Sequence, residues 1–366
     1  MPLRIGVLFG GQSEEHDVSM MSAYAVMEAM VDTYEIVPIA IDKMGRWMAG
    51  DAALDLMIVE AGRAPILPSP IGSTEGNRPL PQAGDDRLVP FRPETLTGLV
   101  DVIIPVLHGP LGEDGTVQGL LELAGLPYVG SGVLGSALGM DKIAMKIMLG
   151  AMGIPQVAYY GLNRHVWIQE RARTLDRLEE TLAYPMFVKP ANLGSSIGIS
   201  KAAHRMDLET AIDRAQQFDR RVIVEHGVDA REFEVGVLGW NDAEASVVGE
   251  VTVHGHEFYD YVAKYQDGTT DLSIPADIPN EVAQTMRELA IKAFHALDCA
   301  GLARVDFFWE QTSDMVFLNE INTLPGFTPY SMYPVLWEAT GVSYSQLLDR
   351  LIAIAVERHR QQSRRL

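Results

Sequence analysis

Gly301-Leu302-Ala303-Arg304-Val305-Asp306-Phe307-Phe308 and Met315-Val316-Phe317-Leu318-Asn319-Glu320-Ile321-Asn322 read as two strands joined by a short polar loop. Residues two apart in a strand share a face. Arg304 and Asp306 therefore point one way, and so do Glu320 and Asn322. If the turn sets Glu310 opposite Val316, then Asp306 faces Glu320 and Arg304 faces Asn322. Two carboxylates, an amide and a guanidinium then crowd one patch. Such oxygens suit Mg²⁺, which takes a few protein ligands and fills its shell with water and substrate phosphate. Arg304 beside them suits developing negative charge. A solvent-facing polar strand could carry the same residues, but the flanking Val305, Phe307, Leu318 and Ile321 argue for an interior hairpin.

Upstream, Met186-Phe187-Val188-Lys189-Pro190 ends a strand on a lysine, and Ala191-Asn192-Leu193-Gly194-Ser195-Ser196 follows. A loop of small residues lets successive N–H groups approach a phosphate, with Lys189 as a fixed cation beside it. An ordinary hairpin with a solvated lysine is the plainer alternative. Lys142 stands near a helix start, where a surface lysine would also be at home.

At the other end of the chain, residues 4–9 read as a buried strand, followed by a Gly-Gly turn and a helix from Val18 to Met30. Strands are expected at 35–41, 100–107 and 125–130, and strand–helix alternation argues for a parallel sheet. Residues 61–95, rich in Pro and Gly, read as a surface excursion or inserted hairpin. A helix at 136–152 leads to an α+β pattern, with strands at 154–160, 184–189, 197–201 and 221–226 and a helix at 205–217. A third region has strands at 233–238, 245–253, 302–310 and 315–321, and helices at 279–297 and 343–360. The expected units are 1–138, an α/β domain with a Rossmann-like parallel sheet, then 139–231 and 232–366.

Two strings invite other readings. Gly130-Ser131-Gly132-Val133-Leu134-Gly135 matches a dinucleotide-binding fingerprint, but no Asp or Glu lies between Lys142 and Gln169 to hold a ribose. A tight turn between domains is preferred. Gly194-Ser195-Ser196-Ile197-Gly198 matches a serine-hydrolase elbow, which needs a helix after the serine. Here Ile197-Gly198-Ile199-Ser200 reads as a continuing strand. No Gly-Lys pair exists, which excludes a P-loop.

Composition sets the outer limits. Of 366 residues, 29 are Lys or Arg and 49 are Asp or Glu, so the net charge is −20. That opposes binding to nucleic acid or an anionic membrane. Polyphosphate binding would need local cations, backbone N–H groups and metal. One cysteine, Cys299, rules out an internal disulfide framework. The N-terminus reads as a strand rather than a signal peptide, and no segment has the length of a membrane span. A cytoplasmic protein is expected.

Together these pieces resemble the ATP-grasp superfamily, and within it the D-alanine–D-alanine ligases. The resemblance spans nearly the whole chain. It rests on Gly10-Gly11-Gln12-Ser13-Glu14-Glu15-His16-Asp17-Val18-Ser19, His108-Gly109 with Gly112-Glu113-Asp114-Gly115, Met140-Asp141-Lys142 and Lys189 to Ser196. Tyr259-Asp260-Tyr261 with Lys264-Tyr265, Arg304-Val305-Asp306 and Asn319 to Gly326 complete it. The resemblance implies that 139–231 and 232–366 are the two halves of an ATP-grasp fold, with ATP between them. Lys142, Lys189, Ser195, Ser196 and Lys264 would serve its phosphates, and Glu225 and Glu232 its adenine and ribose. Asp306, Glu320 and Asn322 would hold two Mg²⁺ or Mn²⁺ ions. Glu15 would pair with the first D-alanine's ammonium, and His108 would lie near the substrates. Ser331, with Met332, would receive the second D-alanine's carboxylate. Arg304 and the Gly326 N–H would stabilise a tetrahedral oxyanion. Glu15, Ser195 and Tyr265 would form a hydrogen-bonded group under a closing loop.

The implied reaction makes D-alanyl-D-alanine through an acyl phosphate, for peptidoglycan precursors, in a homodimer. The pair Lys264-Tyr265 resembles dipeptide-forming members rather than those that use D-lactate. Sister ligases using D-serine or D-lactate, a degenerate ATP-binding module and a serine hydrolase are the alternatives. His226-Gly227-Val228 departs from family members that carry a tryptophan after the glutamate.

Overall fold

Strand β1 (Arg4–Gly10) is buried at six of its seven positions. A strand apolar on both faces needs cover on both, which is the situation of a central parallel strand. It lies between β2 (Glu35–Ile41) and β4 (Val102–Val106), parallel to each, and β3 (Trp47–Ala49) closes the edge in the order β3-β2-β1-β4. The computed structural model describes residues 2–67, 96–253 and 270–363. Lys264, Tyr265, the Tyr259–Tyr261 string and all but the start of the 61–95 excursion lie outside them. Helices α1 (His16–Met30), α2 (Asp51–Ala61) and α3 (Thr116–Leu123) accompany this sheet. The strand expected at 125–130 is a single bridge, Ile103 to Tyr128. Pro127 has no N–H to extend a ladder.

The helix expected at 136–152 is two helices, α4 (Val133–Met140) and α5 (Lys142–Ala151). Asp141 separates them in an extended conformation and caps α5 by accepting the Ala144 N–H at 2.8 Å. The glycines of the dinucleotide-like string serve packing. A Cβ on Gly135 would stand 2.8 Å from the Asp298 carbonyl oxygen, so α4 lies against that turn.

The second sheet is antiparallel, in the order β5 (Tyr159–Asn163), β8 (Arg221–His226), β6 (Met186–Pro190), β7 (Ser200–Ala202). Residues 154–158, expected to be strand, lie outside its ladder. Helices α6 (Arg164–Gln169), α7 (Arg171–Thr181) and α8 (Arg205–Ala215) cover it with a core that includes Trp167, Leu178 and Ile212.

The third sheet is also antiparallel, in the order β11 (Thr270–Ser273), β10 (Glu244–Val253), β9 (Arg231–Gly239), β12 (Gly301–Glu310), β13 (Met315–Asn322). Helix α9 (Asn280–Ala296) packs Met286, Ala290 and Phe294 on Val235, Val305 and Leu318. Helices α10 (Met332–Ala339) and α11 (Tyr344–Ser363) end the chain. Leu347, Leu351 and Ile352 of α11 share a core with Val7 and Ile104 of the first sheet. Buried Arg358 donates hydrogen bonds to the carbonyls of Gly130 and Tyr128 and so ties the C-terminal helix to the segment beside the first sheet. No helix among the described residues is long and apolar enough to cross a membrane.

Candidate active site

The hairpin of β12 and β13 pairs Arg304 with Asn322 and Asp306 with Glu320, as the sequence suggested. The assumed turn register is off by one: Glu310 faces Met315, and Trp309 faces Val316. A bulge between Asp306 and Phe307 compensates, leaving Asn319 as the extra residue. Exposure alternates down β12, with Val305 and Phe307 buried and Arg304 and Asp306 half-buried. In β13 the alternation breaks at Asn319 and Glu320. The bulge thus brings Leu318 and Ile321 to the same buried side.

The carboxylate face opens on a cavity of about 550 Å³. Glu15, His108, Lys142, Lys189, Ser195, Ser196, Glu225, Glu232, Arg304, Asp306, Glu320, Asn322 and Gly326 all line it. Residues from all three sheets and their connections therefore meet in one place. Ser331 and Met332 do not line it. The Ser331 hydroxyl bonds to Thr328, whose N–H and Oγ1 lie at 3.1 and 2.8 Å, and an ideal Cβ on Gly326 would stand 3.1 Å from Ser331 Oγ. Met332 is buried with Val251 and Leu336, so its side chain belongs to the core.

The loop after β6 carries Ser195 and Ser196 at φ of +50° and +57°. Two consecutive non-glycine residues in this region are strained, and such strain gathers at sites where the surroundings enforce it. Residues 197–199 are not strand, contrary to the expectation, and no helix follows Ser196 until α8, so the hydrolase elbow is absent. Ser195 Oγ donates a hydrogen bond to Glu15 Oε1, joining this loop to the start of α1. Lys142 bridges the loop and the hairpin: its Nζ donates to the Leu193 carbonyl at 3.0 Å and lies 3.3 Å from Glu320.

Lys189 is buried, with Nζ 2.5 Å from Glu225 Oε2. Lys146, a fully buried residue of α5, lies 2.9 Å from Glu225 Oε1. Burial alone would raise the Glu225 carboxyl, but the ammonium groups of Lys146 and Lys189 outweigh it and hold it at about 2. Lys189 is raised: burial opposes its charge, and Glu225, then Glu320, outweigh burial.

His108 is buried and its pKa is lowered, chiefly by burial. Its Nδ1 lies 3.1 Å from the Leu324 carbonyl oxygen, which can only accept. The imidazole proton therefore sits on Nδ1. Glu113 also lines the cavity and accepts the Gly109 N–H at 2.6 Å. Burial, with Glu15 nearby, raises it to about 8 against the pull of that N–H, Lys142 and Arg304.

Glu113, Lys146 and Glu234 were not singled out in the sequence. Glu113 stood inside the quoted His108–Gly115 string. Glu234 is two residues from Glu232 in a strand, so strand alternation could have found it. Lys146 gave no signal, because a lysine on a helix normally faces water.

Arg304 donates Nε–H to Asp306 Oδ1 at 2.8 Å and Nη2–H to Oδ2 at 2.7 Å. Asn322 Nδ2 donates to the same Oδ2 at 3.2 Å. Among the described residues no group of three or more His, Cys, Asp or Glu is placed to hold a metal. The candidate set is two carboxylates and an amide. Asp306 and Glu320, directly opposed and balanced by Arg304 and Lys142, are hard oxygen donors that fit Mg²⁺ or Mn²⁺.

Two family models match the chain: D-ala D-ala ligase N-terminus over residues 4–131 and D-ala D-ala ligase C-terminus over residues 148–353. The D-alanine–D-alanine ligase of Bacillus cytotoxicus is 47% identical over 363 residues, spanning 99% of this chain and 98% of that relative. The solved D-alanine-D-alanine ligase from Coxiella burnetii has a TM-score of 0.77 and 34% identity, covering 99% of this chain and 96% of its own. The VanG D-Ala:D-Ser ligase from Enterococcus faecalis has a TM-score of 0.80 and 32% identity, covering 97% and 100%. These are ATP-grasp proteins, and the mixed α/β architecture is theirs. By sequence and by fold, this chain belongs to the D-alanine–D-alanine ligase family.

Proposed function

We propose that the protein joins two D-alanine molecules into D-alanyl-D-alanine, with ATP converted to ADP and phosphate. The observation that carries the reading is the convergence of Glu15, Lys142, Lys189, Ser195, Arg304, Asp306, Glu320 and Asn322 on one cavity. A carboxylate is a poor electrophile, so the first D-alanine's carboxylate oxygen takes the γ-phosphoryl group. Positioning and charge do most of this work. Lys142, Lys189 and the Ser195–Ser196 loop serve the phosphates, with Lys264 at the γ-phosphate. Glu225 and Glu232 lie toward adenine and ribose, and Glu225 also fixes where Lys189 stands.

Asp306, Glu320 and Asn322 would hold two Mg²⁺ or Mn²⁺ ions, which neutralise crowded phosphoryl oxygens when bound. Glu15 holds the first ammonium and His108 lies beside the substrates. The second D-alanine's carboxylate approaches the N-terminus of α10 at Ser331 and Met332. Because the Met332 side chain is in the core, its part there falls to its backbone N–H. The second amine attacks the acyl phosphate. Arg304 and the Gly326 N–H meet the oxyanion, and phosphate leaves. By the family resemblance, Tyr265, which lies outside the described residues, would join the Glu15–Ser195 group and help exclude water.

By this reading the chain divides into the units 1–138, 139–231 and 232–366. A cytoplasmic homodimer supplying peptidoglycan precursors fits the family. The deciding experiment measures phosphate release from ATP with Mg²⁺ and D-alanine, L-alanine, D-serine or D-lactate, with products identified by mass. Dipeptide and phosphate only with D-alanine support the reading. Efficient mixed products with D-serine or D-lactate would reassign the second site, and no D-alanine-dependent release would refute the activity.

A further inference from the structure

Glu234 of β9 faces Asp306 across one ladder, and Asp306 faces Glu320 across the next. Three carboxylates thus stand in a row on three adjacent strands. Glu234 is only 5% exposed, and it lines the same cavity. A buried carboxylate is costly unless it is paired. Glu234 Oε2 lies 2.9 Å from Arg304 Nε, yet the Nε–H hydrogen bond goes to Asp306 Oδ1. The guanidinium fork is therefore engaged on both oxygens of Asp306 while Glu234 holds an ion pair with it from the neighbouring strand.

We infer that Glu234 is the positioning residue for Arg304, taking over its Nε–H when Asp306 turns to bind metal. The inference rests on the ligase reading, in which Asp306 is a metal ligand and Arg304 meets the oxyanion. A carboxylate gripped at both oxygens by one guanidinium, and at Oδ2 also by Asn322, is a weaker ligand until that grip loosens. Released from Asp306 with nothing behind it, Arg304 would lose its aim. Glu234 lies across the strand from the proposed ligand pair and is not part of it. It can hold the guanidinium without competing for the ion. Losing it should weaken metal binding and slow the chemical step while ground-state substrate binding changes little.

The test uses the full chain and the variants Glu234→Ala, Glu234→Gln, Arg304→Ala and Glu234→Ala with Arg304→Ala. Mn²⁺ binding is followed by the paramagnetic resonance of free Mn²⁺ in the presence of ADP, without turnover. Steady-state kinetics give kcat and KM separately. Removing the support of a ligand shell typically costs about 10- to 100-fold in affinity or activity. Glu234→Ala should show losses of that size in Mn²⁺ affinity and in kcat, with KM for D-alanine changed less than about threefold. Glu234→Gln, whose amide oxygen still accepts Nε–H, should recover part of both. In the Arg304→Ala background Glu234→Ala should change kcat less than about twofold, because residues that act through one another do not add.

Equal losses in the Gln and Ala variants would mean that only the charge matters, and would overturn the positioning role. So would full multiplication of the losses in the double variant, or a folded Glu234→Ala variant that matches the parent. If Glu234→Ala does not fold, the isosteric Gln variant decides by the same comparison against Arg304→Ala. A parent that binds no Mn²⁺ removes the metal reading and this inference together. A parent that binds it, with indifferent Glu234 variants, refutes this inference alone.

Discussion

Glu225→Gln removes the single negative charge that two buried ammonium groups share. Lys146 and Lys189 lie 2.9 and 2.5 Å from its two oxygens, and all three side chains are buried. The magnitude follows in two ways. The folded carboxyl is held at about 2 against an ordinary 4.5, and at 1.36 kcal/mol per unit that is roughly 3 kcal/mol. Breaking a buried ion pair by removing one partner costs about 3–5 kcal/mol. The lower end is the better expectation. Burial already lowers the pKa of Lys146, so it can shed its proton when Glu225 is neutral, which caps the penalty. With 139–231 and 232–366 melting together as one unit of roughly 230 residues, at about 2–4 °C per kcal/mol, the variant should melt about 6–12 °C below the parent at pH 7.

The assay is a far-UV circular dichroism melt of both proteins from pH 7 to pH 3. A carboxyl whose folded pKa is depressed contributes stability above its unfolded value and loses it as pH falls through the folded value. The gap between parent and variant should therefore narrow below about pH 4.5, toward pH 2. A gap under about 2 °C at pH 7, or one that does not narrow on acidification, would refute the argument that Glu225 stands as a carboxylate between two ammoniums.

Asp306→Asn, Glu320→Gln and Arg304→Ala should each lower kcat by about 100-fold or more while melting cooperatively; an active Glu320→Gln variant with unchanged metal dependence would break the metal assignment. Ser195→Ala cuts the hydrogen bond that joins the phosphate loop to Glu15 and should lower turnover with D-alanine without lowering the melting temperature; unchanged kcat and KM would count against that link. The Glu113 carboxyl is raised to about 8, so the folded state favours its protonated form, and the parent loses stability as pH climbs from about 4.5 to 8. Glu113→Gln, which can still accept the Gly109 N–H, should flatten that decline in melts across this range; an equal decline in both proteins would contradict it.

Much of the candidate site was legible because its geometry is local. Strand alternation put Arg304 and Asp306 on one face of their strand and Glu320 and Asn322 on one face of theirs; bringing the two pairs together needed a cross-strand register. The spacing of Val316, Leu318 and Ile321 already carried the bulge, since apolar residues that shift from even to odd positions cannot share a face in a regular strand. The turn register misled, because loop conformation rather than periodicity sets it, yet the site pairing held because the bulge absorbs the slip. Strand–helix alternation pointed to a parallel sheet, and the buried runs Ile5–Gly10 and Ile36–Ile41 at its centre agree with it. The break at Asp141 is masked by an apolar pattern that runs through it, although an aspartate before a helical run is a cap.

Local sequence thus sets the chemical groups, the strands that carry them and the face each presents. These follow from backbone periodicity and the cost of burying polar groups. Which groups meet was decided by tertiary structure. Ser195 reaches Glu15 across 180 positions of chain, Lys146 turns into the interior because Glu225 is there to receive it, and Ser331 stands behind Gly326 instead of in the cavity. Pairings of this kind depend on how three separately formed sheets pack together. No local pattern encodes that packing, because its energy resides in contacts between residues far apart in the chain.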